Sequence, residues 1–237
     1  MRAMILAAGR GERMRPLTDG CPKPLLRVGG RPLIEWQLLA LRRAGIVDVV
    51  INHAHLGSML EAALGDGARW GLRIRYSPEG EALETAGGVA HALPLLGDGP
   101  FLVTAGDVFT DFDPGRALTI AAQMLAADLS AWCVMIANPA HHPGGDFALR
   151  DGLLRPDGSP RLTFSGIGVY RAELFAGIAS GAKAQLAPLL RDAAARARAG
   201  AEYFGGQWTD VGTPQRLAEL DAQLTLATRL RSPGTPA

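Results

Sequence analysis

The chain has 237 residues, 48% of them hydrophobic and 20% charged, with a formal net charge of +1. Such a chain can bury one sizeable core and has no global field to hold it on nucleic acid or an anionic membrane, so any anion it binds must meet cations gathered locally. Cys21 and Cys133 stand far apart and match no metal or redox spacing, no apolar run approaches the roughly 18 residues that span a bilayer, and the first apolar stretch is too brief for a secretory signal. The expectation is a cytoplasmic protein with reduced thiols, a monomer or small homo-oligomer, with one domain over 1–230 and a flexible tail over 231–237.

Met1 to Ala8 reads as a short buried strand, because its apolar residues are continuous and glycine then breaks the run. A loop from Gly9 to Lys23 follows. "PLIEWQLLALRRAG" has apolar residues at helical spacing, proline in the first turn, arginines in the last and Gly45 as a stop. Ile46 to Asn52 is then a strand, "SMLEAALGDG" a helix and Leu72 to Ser77 an alternating strand. Thr85 is the expected N-cap of the next helix. "PFLVTAGD" brings a buried strand to its end at Asp107, Asp113 to Leu129 is helical, and Ala131 to Ala137 is another strand.

The second half is less regular. "DFALRDGLLR" is hairpin-like with an Asp151-Gly152 turn, "RLTFSGIGVY" is a strand, and "AQLAPLLRDAAARARAG" is a helix in which Pro188 marks a bend or the start. A strand ending near Asp210 and a helix entered through Thr213 and Pro214 close the pattern. This alternation predicts an α/β fold, a Rossmann-like three-layer sandwich around a mostly parallel sheet, with ligands at the carboxyl ends of the strands.

At one such end Arg10, Arg13, Arg15 and Lys23 crowd against Gly9 and Gly11. Glycine lets a ligand approach the backbone, its N–H groups can cradle oxygens, arginine offers paired donors and lysine a point charge, so a polyphosphate fits the run. A solvated surface loop fits the composition too. No Walker loop is present, and Met14 stands where a third glycine would complete G-x-G-x-x-G.

The residues "LAAGRGERMRPLT" and "CPKPLL" resemble the signature of the sugar-phosphate nucleotidyltransferases, L-A-G-G-x-G-T-R-L-x-P-L-T followed by P-K-P-L. The resemblance implies that Ala7, Ala8, Gly9, Gly11 and Arg13 hold the triphosphate of a nucleotide, with Arg13 and Lys23 as the catalytic cations. It also implies Mg²⁺ on Asp107, from "GD" at a strand end, and on Asp210, from "WTDVGTP". A lone Asp at a strand end is otherwise a cap or turn residue. Ala105 stands where many relatives have Asn, and the Glu-Lys-Pro segment that contacts the sugar phosphate is absent, leaving Lys183 or Arg161 as substitutes.

"SPEGEALETAGG" resembles the family's base-reading loop. When ionised, Glu79 can only accept, so it suits the N3–H of uracil, and the N–H of Gly87 or Gly88 suits a base carbonyl. Glu84 replaces the usual glycine of L-G-T-A. The stretches "LETAGG", "NPAHHPGGDFAL" and "LTFSGIGVY" resemble the branch of the family that uridylylates N-acetylmuramate α-1-phosphate, which gives Glu84, Asn138, Asp146, Ser165 and Gly166 as acceptor contacts. The resemblance implies UTP and an amino-sugar 1-phosphate as partners. The alternatives are guanylyl transfer to mannose or heptose 1-phosphate, and a catalytically silent nucleotide-sugar-binding regulator. His141 and His142 read as turn or surface residues, with a place in the wall of the sugar pocket as the alternative, and no catalytic His is needed, since a sugar 1-phosphate, with a second pKa of about 6, attacks without a general base.

Overall fold

The computed structural model describes residues 1–231, so the tail expected over 231–237 lies, beyond Arg231, outside the described residues. In chain order the strands are β1 (Arg2–Leu6), β2 (Arg27–Val28), β3 (Arg31–Pro32), β4 (Asp48–His53), β5 (Arg73–Pro78), β6 (Phe101–Ala105), β7 (Val108–Thr110), β8 (Ala131–Ile136), β9 (Phe147–Arg150), β10 (Leu153–Arg155), β11 (Arg161–Tyr170), β12 (Ala199–Tyr203) and β13 (Trp208–Asp210). The helices are α1 (Leu33–Arg43), α2 (Gly57–Leu64), α3 (Glu84–Leu96), α4 (Arg116–Ala126), α5 (Leu186–Ala195) and α6 (Pro214–Arg231). Among the described residues no helix is long and apolar enough to cross a membrane.

Nine strands form one sheet in the order β5-β4-β1-β6-β11-β8-β12-β10-β9. β1 lies parallel between β4 and β6, and β5 parallel beside β4, because a helical crossover returns the chain to the starting edge between each strand and the next. Side chains alternate across the sheet. Ala3, Ile5, Val49, Ile51 and Leu102 pack under α1, α2 and α4, whereas Met4, Val50, Phe101 and Val103 pack under α3 and α5. Helices on both faces make three layers, as the alternation predicted.

The sheet is mixed rather than mostly parallel. β11 runs antiparallel to both β6 and β8, and β10 antiparallel to β12 and β9. The reason is local: β9 and β10 are joined by the tight turn at Asp151 (φ 54) and Gly152 (φ 72), and β9 pairs antiparallel with β11 too. No helix lies between β9 and β10, so direction reverses at that turn, and β10 and β11 both run against β9 and against the parallel strands β6, β8 and β12.

Several boundaries also differ. Thr85 lies inside α3, whose N-cap position is Leu83. α4 starts later than expected, since the Asp113 carboxylate accepts the Gly115 N–H at 2.9 Å and holds a turn ahead of it. Pro188 falls in the first turn of α5, and the last residues assigned to that helix form β12 instead. A third apolar cluster joins Met14, Val28, Leu33, Phe109, Val211 and Leu220. Met14 is fully buried there, so where a third glycine was looked for, a side chain anchors the loop to the core.

Candidate active site

The cationic loop leaves β1 at its carboxyl end. Gly11 has φ 65, and its carbonyl accepts the Thr18 hydroxyl and the Met14 N–H, both at 2.8 Å. A Cβ at Gly11 would stand 3.0 Å from Thr18 Cγ2, so the left-handed turn and the close approach both require glycine. The loop closes over a cavity of about 660 Å³ whose walls include Ala7, Ala8, Gly9, Arg10, Gly11, Arg13, Lys23, Glu79, Glu84 and Asp107. The sequence-predicted triphosphate residues therefore share one space.

A polar chain fixes the opposite wall. Asn52, at the end of β4 and 2% exposed, accepts the Ala7 N–H at 2.8 Å and donates to Glu79 Oε1 at 2.6 Å. The other Glu79 oxygen accepts the Leu83 N–H at 2.8 Å. With two bonds made, the carboxylate keeps lone pairs for a donor in the cavity. Gly87 and Gly88 are buried in α3 and outside the cavity wall; the Gly87 N–H is bonded to the Ala184 carbonyl at 3.1 Å. Gly88 has a steric role, since a Cβ there would meet Glu79 Oε1 at 2.5 Å and Asn52 Nδ2 at 2.8 Å. No motif named Asn52. The available signal was one amide inside an otherwise apolar strand run, where a buried polar group demands partners.

Lys23 Nζ donates to Asp107 Oδ2 at 2.6 Å, with 11% of the lysine side chain and 35% of the aspartate side chain exposed. Asp107 is followed at once by β7, which pairs antiparallel with β13 so that Val108 faces Asp210, and the Val211 N–H donates to the Asp107 carbonyl at 2.8 Å. That short ribbon brings together two acids over a hundred positions apart. Gln37 on α1 braces it, its amide donating to the Ala105 and Val108 carbonyls at 2.8 and 2.9 Å while its oxygen accepts the Thr104 hydroxyl. Gly106 fits only as glycine, since a Cβ would lie 2.5 Å from the Leu6 carbonyl oxygen.

Asp210 is paired with Arg216 and stands 3.3 Å from His141 Nε2. Its carboxylate lies beside Gly212, which lines the cavity and toward which Arg13 also reaches. Both acids are held by cations, Asp107 by Lys23 and Asp210 by Arg216. The described residues contain no cluster of three metal-binding side chains. Two carboxylates suit Mg²⁺, which keeps waters and shares phosphate oxygens rather than filling an all-protein cage.

A second cavity, about 310 Å³, adjoins the first and shares Leu6, Glu84, Thr85 and Ala105 with it. Glu84 has φ 63. A left-handed residue explains why glycine is the family's usual choice there, and here the turn carries a carboxylate into both cavities instead. Asp146 lines the second cavity, with Oδ2 accepting the Phe164 N–H at 2.8 Å and Oδ1 3.0 Å from His142. His141 is exposed in a turn, as expected, both histidines reach site carboxylates, and neither lines the second cavity.

Gly166 (φ 79) also lines this cavity, at a register shift of β11 between Phe164 and Gly168. Ser165 is buried behind it, its hydroxyl accepting the Ile167 N–H at 3.2 Å and its carbonyl the Trp208 indole N–H at 2.9 Å. Asn138 lies outside both cavities, donating to the Pro143 and Arg161 carbonyls at 3.0 Å each and accepting from Thr163 at 2.9 Å. Of the two cations offered for the missing lysine, Arg161 bonds the Asp146 carbonyl at 2.7 Å, and Lys183 pairs with exposed Glu81 at 3.0 Å. That hydrogen bond from Lys183 is the main reason the Glu81 carboxyl titrates below its ordinary range.

Residues 2–144 match the family model described as nucleotidyl transferase. The chain is 54% identical, over 94% of its length and 97% of the relative's, to a Neisseria meningitidis protein named N-acetylmuramate alpha-1-phosphate uridylyltransferase. A Caulobacter vibrioides protein of the same name is 36% identical over 95% of this chain and 96% of that one. A Bacillus anthracis crystal structure, provisionally assigned as a glucose-1-phosphate thymidylyltransferase, superposes with a TM-score of 0.82 over 95% of both chains at 20% identity, a likeness of fold.

Proposed function

The chain belongs to the nucleotidyl transferase family, and on that premise we propose that it transfers a uridylyl group from UTP to N-acetylmuramic acid α-1-phosphate, giving UDP-N-acetylmuramic acid and pyrophosphate. The observation that carries this reading is the pair of adjoining cavities, one ringed by loop cations, Glu79 and Asp107, the other by Glu84, Asp146 and Gly166. The named acceptor rests on the likeness of nearly the whole chain to relatives bearing that activity in their names. Two free cysteines suit the cytoplasm as the place of reaction.

In this reading an acceptor phosphate oxygen attacks the α-phosphorus of UTP, a new P–O bond forms, and the bond to the β-phosphate breaks with its electrons leaving on pyrophosphate. The dianion is present at neutral pH because its second pKa is about 6, so no side chain need remove a proton. Gly9 and Gly11 leave the loop backbone open to the phosphates, Arg10 and Arg13 neutralise the leaving side, and Lys23 stands where the reacting phosphate meets Asp107. Asp107 and Asp210 would hold Mg²⁺, which when bound supplies charge neutralisation and a template for the phosphates. Glu79 accepts the uracil N3–H, in an orientation set by Asn52 and Leu83.

Pyrophosphate release, measured for the four nucleoside triphosphates against N-acetylmuramic acid, N-acetylglucosamine and mannose 1-phosphates, tests the proposal. Turnover with UTP and the muramate is expected. Turnover confined to GTP, or tight UTP binding with no turnover at all, would overturn it.

A further inference from the structure

The second cavity has an uneven charge lining. Its acids, Glu84 and Asp146, lie near the shared wall or on the β9 side, while Arg191 of α5 is the one cation among its lining residues. Arg191 has no ion pair among the described residues, and its guanidinium sits over the Phe147 ring, 5.9 Å from the centroid. Phe147 is 2% exposed. A guanidinium near an aromatic face and without an ion pair keeps its donors available to a planar anion.

The acceptor proposed above has two anionic groups, the phosphate and the carboxylate of its lactyl ether. The phosphate must lie toward the first cavity, where Lys23 and Asp107 stand. Arg191 lines only the second cavity, with Leu186, Ala187 and Leu190 of α5, and is not among the residues the two cavities share. Resting on that reading of the acceptor, we propose that Arg191 receives the lactyl carboxylate and so distinguishes a muramate 1-phosphate from neutral amino-sugar 1-phosphates. Carboxylate and guanidinium match as a fork, and the match sits on a rigid helix rather than on a loop.

The test compares wild type with Arg191→Ala, Arg191→Lys and Arg191→Glu, with UTP saturating. It reads kcat and KM for N-acetylmuramic acid 1-phosphate, and the inhibition constant of N-acetylglucosamine 1-phosphate, which has the same ring without the carboxylate. Arg191→Ala is expected to raise KM for the muramate roughly tenfold with kcat little changed, to leave the inhibition constant of the neutral sugar unmoved, and to be partly rescued in Arg191→Lys. Arg191→Glu raises that KM further. Equal weakening of both sugars would put the cation on a group they share and overturn the assignment, as would an unmoved KM. A wild type that ignores the muramate while using another acceptor overturns the proposed acceptor and this inference together, whereas an active wild type with an unmoved ratio overturns Arg191 alone.

Discussion

The two cavities are built by opposite means. Around the nucleotide cavity, polar groups from distant parts of the chain bond one another: Ala7 to Asn52, Asn52 to Glu79, Glu79 to Leu83, Lys23 to Asp107. These groups stand at the carboxyl ends of parallel strands or in the loops that follow them, and their bonds are made without a ligand, so charge need not be reorganised when phosphates bind. Around the second cavity the walls come from β9 and the irregular strand β11, together with β6 and α5, and they are mainly apolar, with Phe147, Phe164, Leu186 and Leu190 among them. Preorganised charge suits the part of the substrate that every member of such a family handles, the triphosphate. Shape with a few polar readers suits the part that differs.

The contrast can be broken hardest at Asp107. Asp107→Asn keeps the size of the side chain and removes the charge paired with Lys23, so turnover should fall roughly 10³-fold while the fold persists, read as kcat with unchanged thermal melting. Retained activity would remove Asp107 from the chemistry. Lys23→Ala should cost roughly 10²-fold in kcat and little in KM for either substrate, because its charge matters most as negative charge builds on the reacting phosphate in the transition state.

Asn52→Leu separates positioning from chemistry. It strands the Ala7 N–H and frees Glu79, so stability should drop by about 2 kcal/mol in urea unfolding, and KM for UTP should rise roughly tenfold with the acceptor KM unmoved. A change in the acceptor KM alone would mean that the polar chain serves the second cavity instead. Glu84→Gly relieves a left-handed residue at the boundary between cavities. Melting should rise by about 2 °C, with the effect on activity appearing in the acceptor KM rather than in that of UTP.

The smallest effect concerns the thiols. Burial pushes the Cys133 thiol well above its ordinary range, and Cys21 is raised less deeply inside the fold. A raised thiol pKa favours the folded state only while the unfolded thiol is still protonated, so this contribution is whole below about pH 8.5 and shrinks as the pH rises past it. With a thiol reagent at pH 8, Cys21 should react in the native protein and Cys133 only on unfolding. Equal rates would mean that the β8 core opens readily.

What the sequence by itself determined was whatever short-range chemistry writes. Gly9, Gly11, Arg13 and Lys23 lie within one loop, the β9–β10 turn is spelled by Asp151-Gly152, and apolar periodicity marks the strands and helices, because each depends on neighbours a few residues away. Only the tertiary structure decided what distance in the chain conceals. The β7–β13 ribbon sets Asp107 beside Asp210, Asn52 meets Glu79, Gln37 braces a turn on another element, and Arg191 comes to line a cavity with Phe147. The sheet's mixed direction belongs to the same class. Strand direction and side-chain partnership follow from where the chain returns, and a sequence pattern with a period of two or of about 3.6 holds no record of that return.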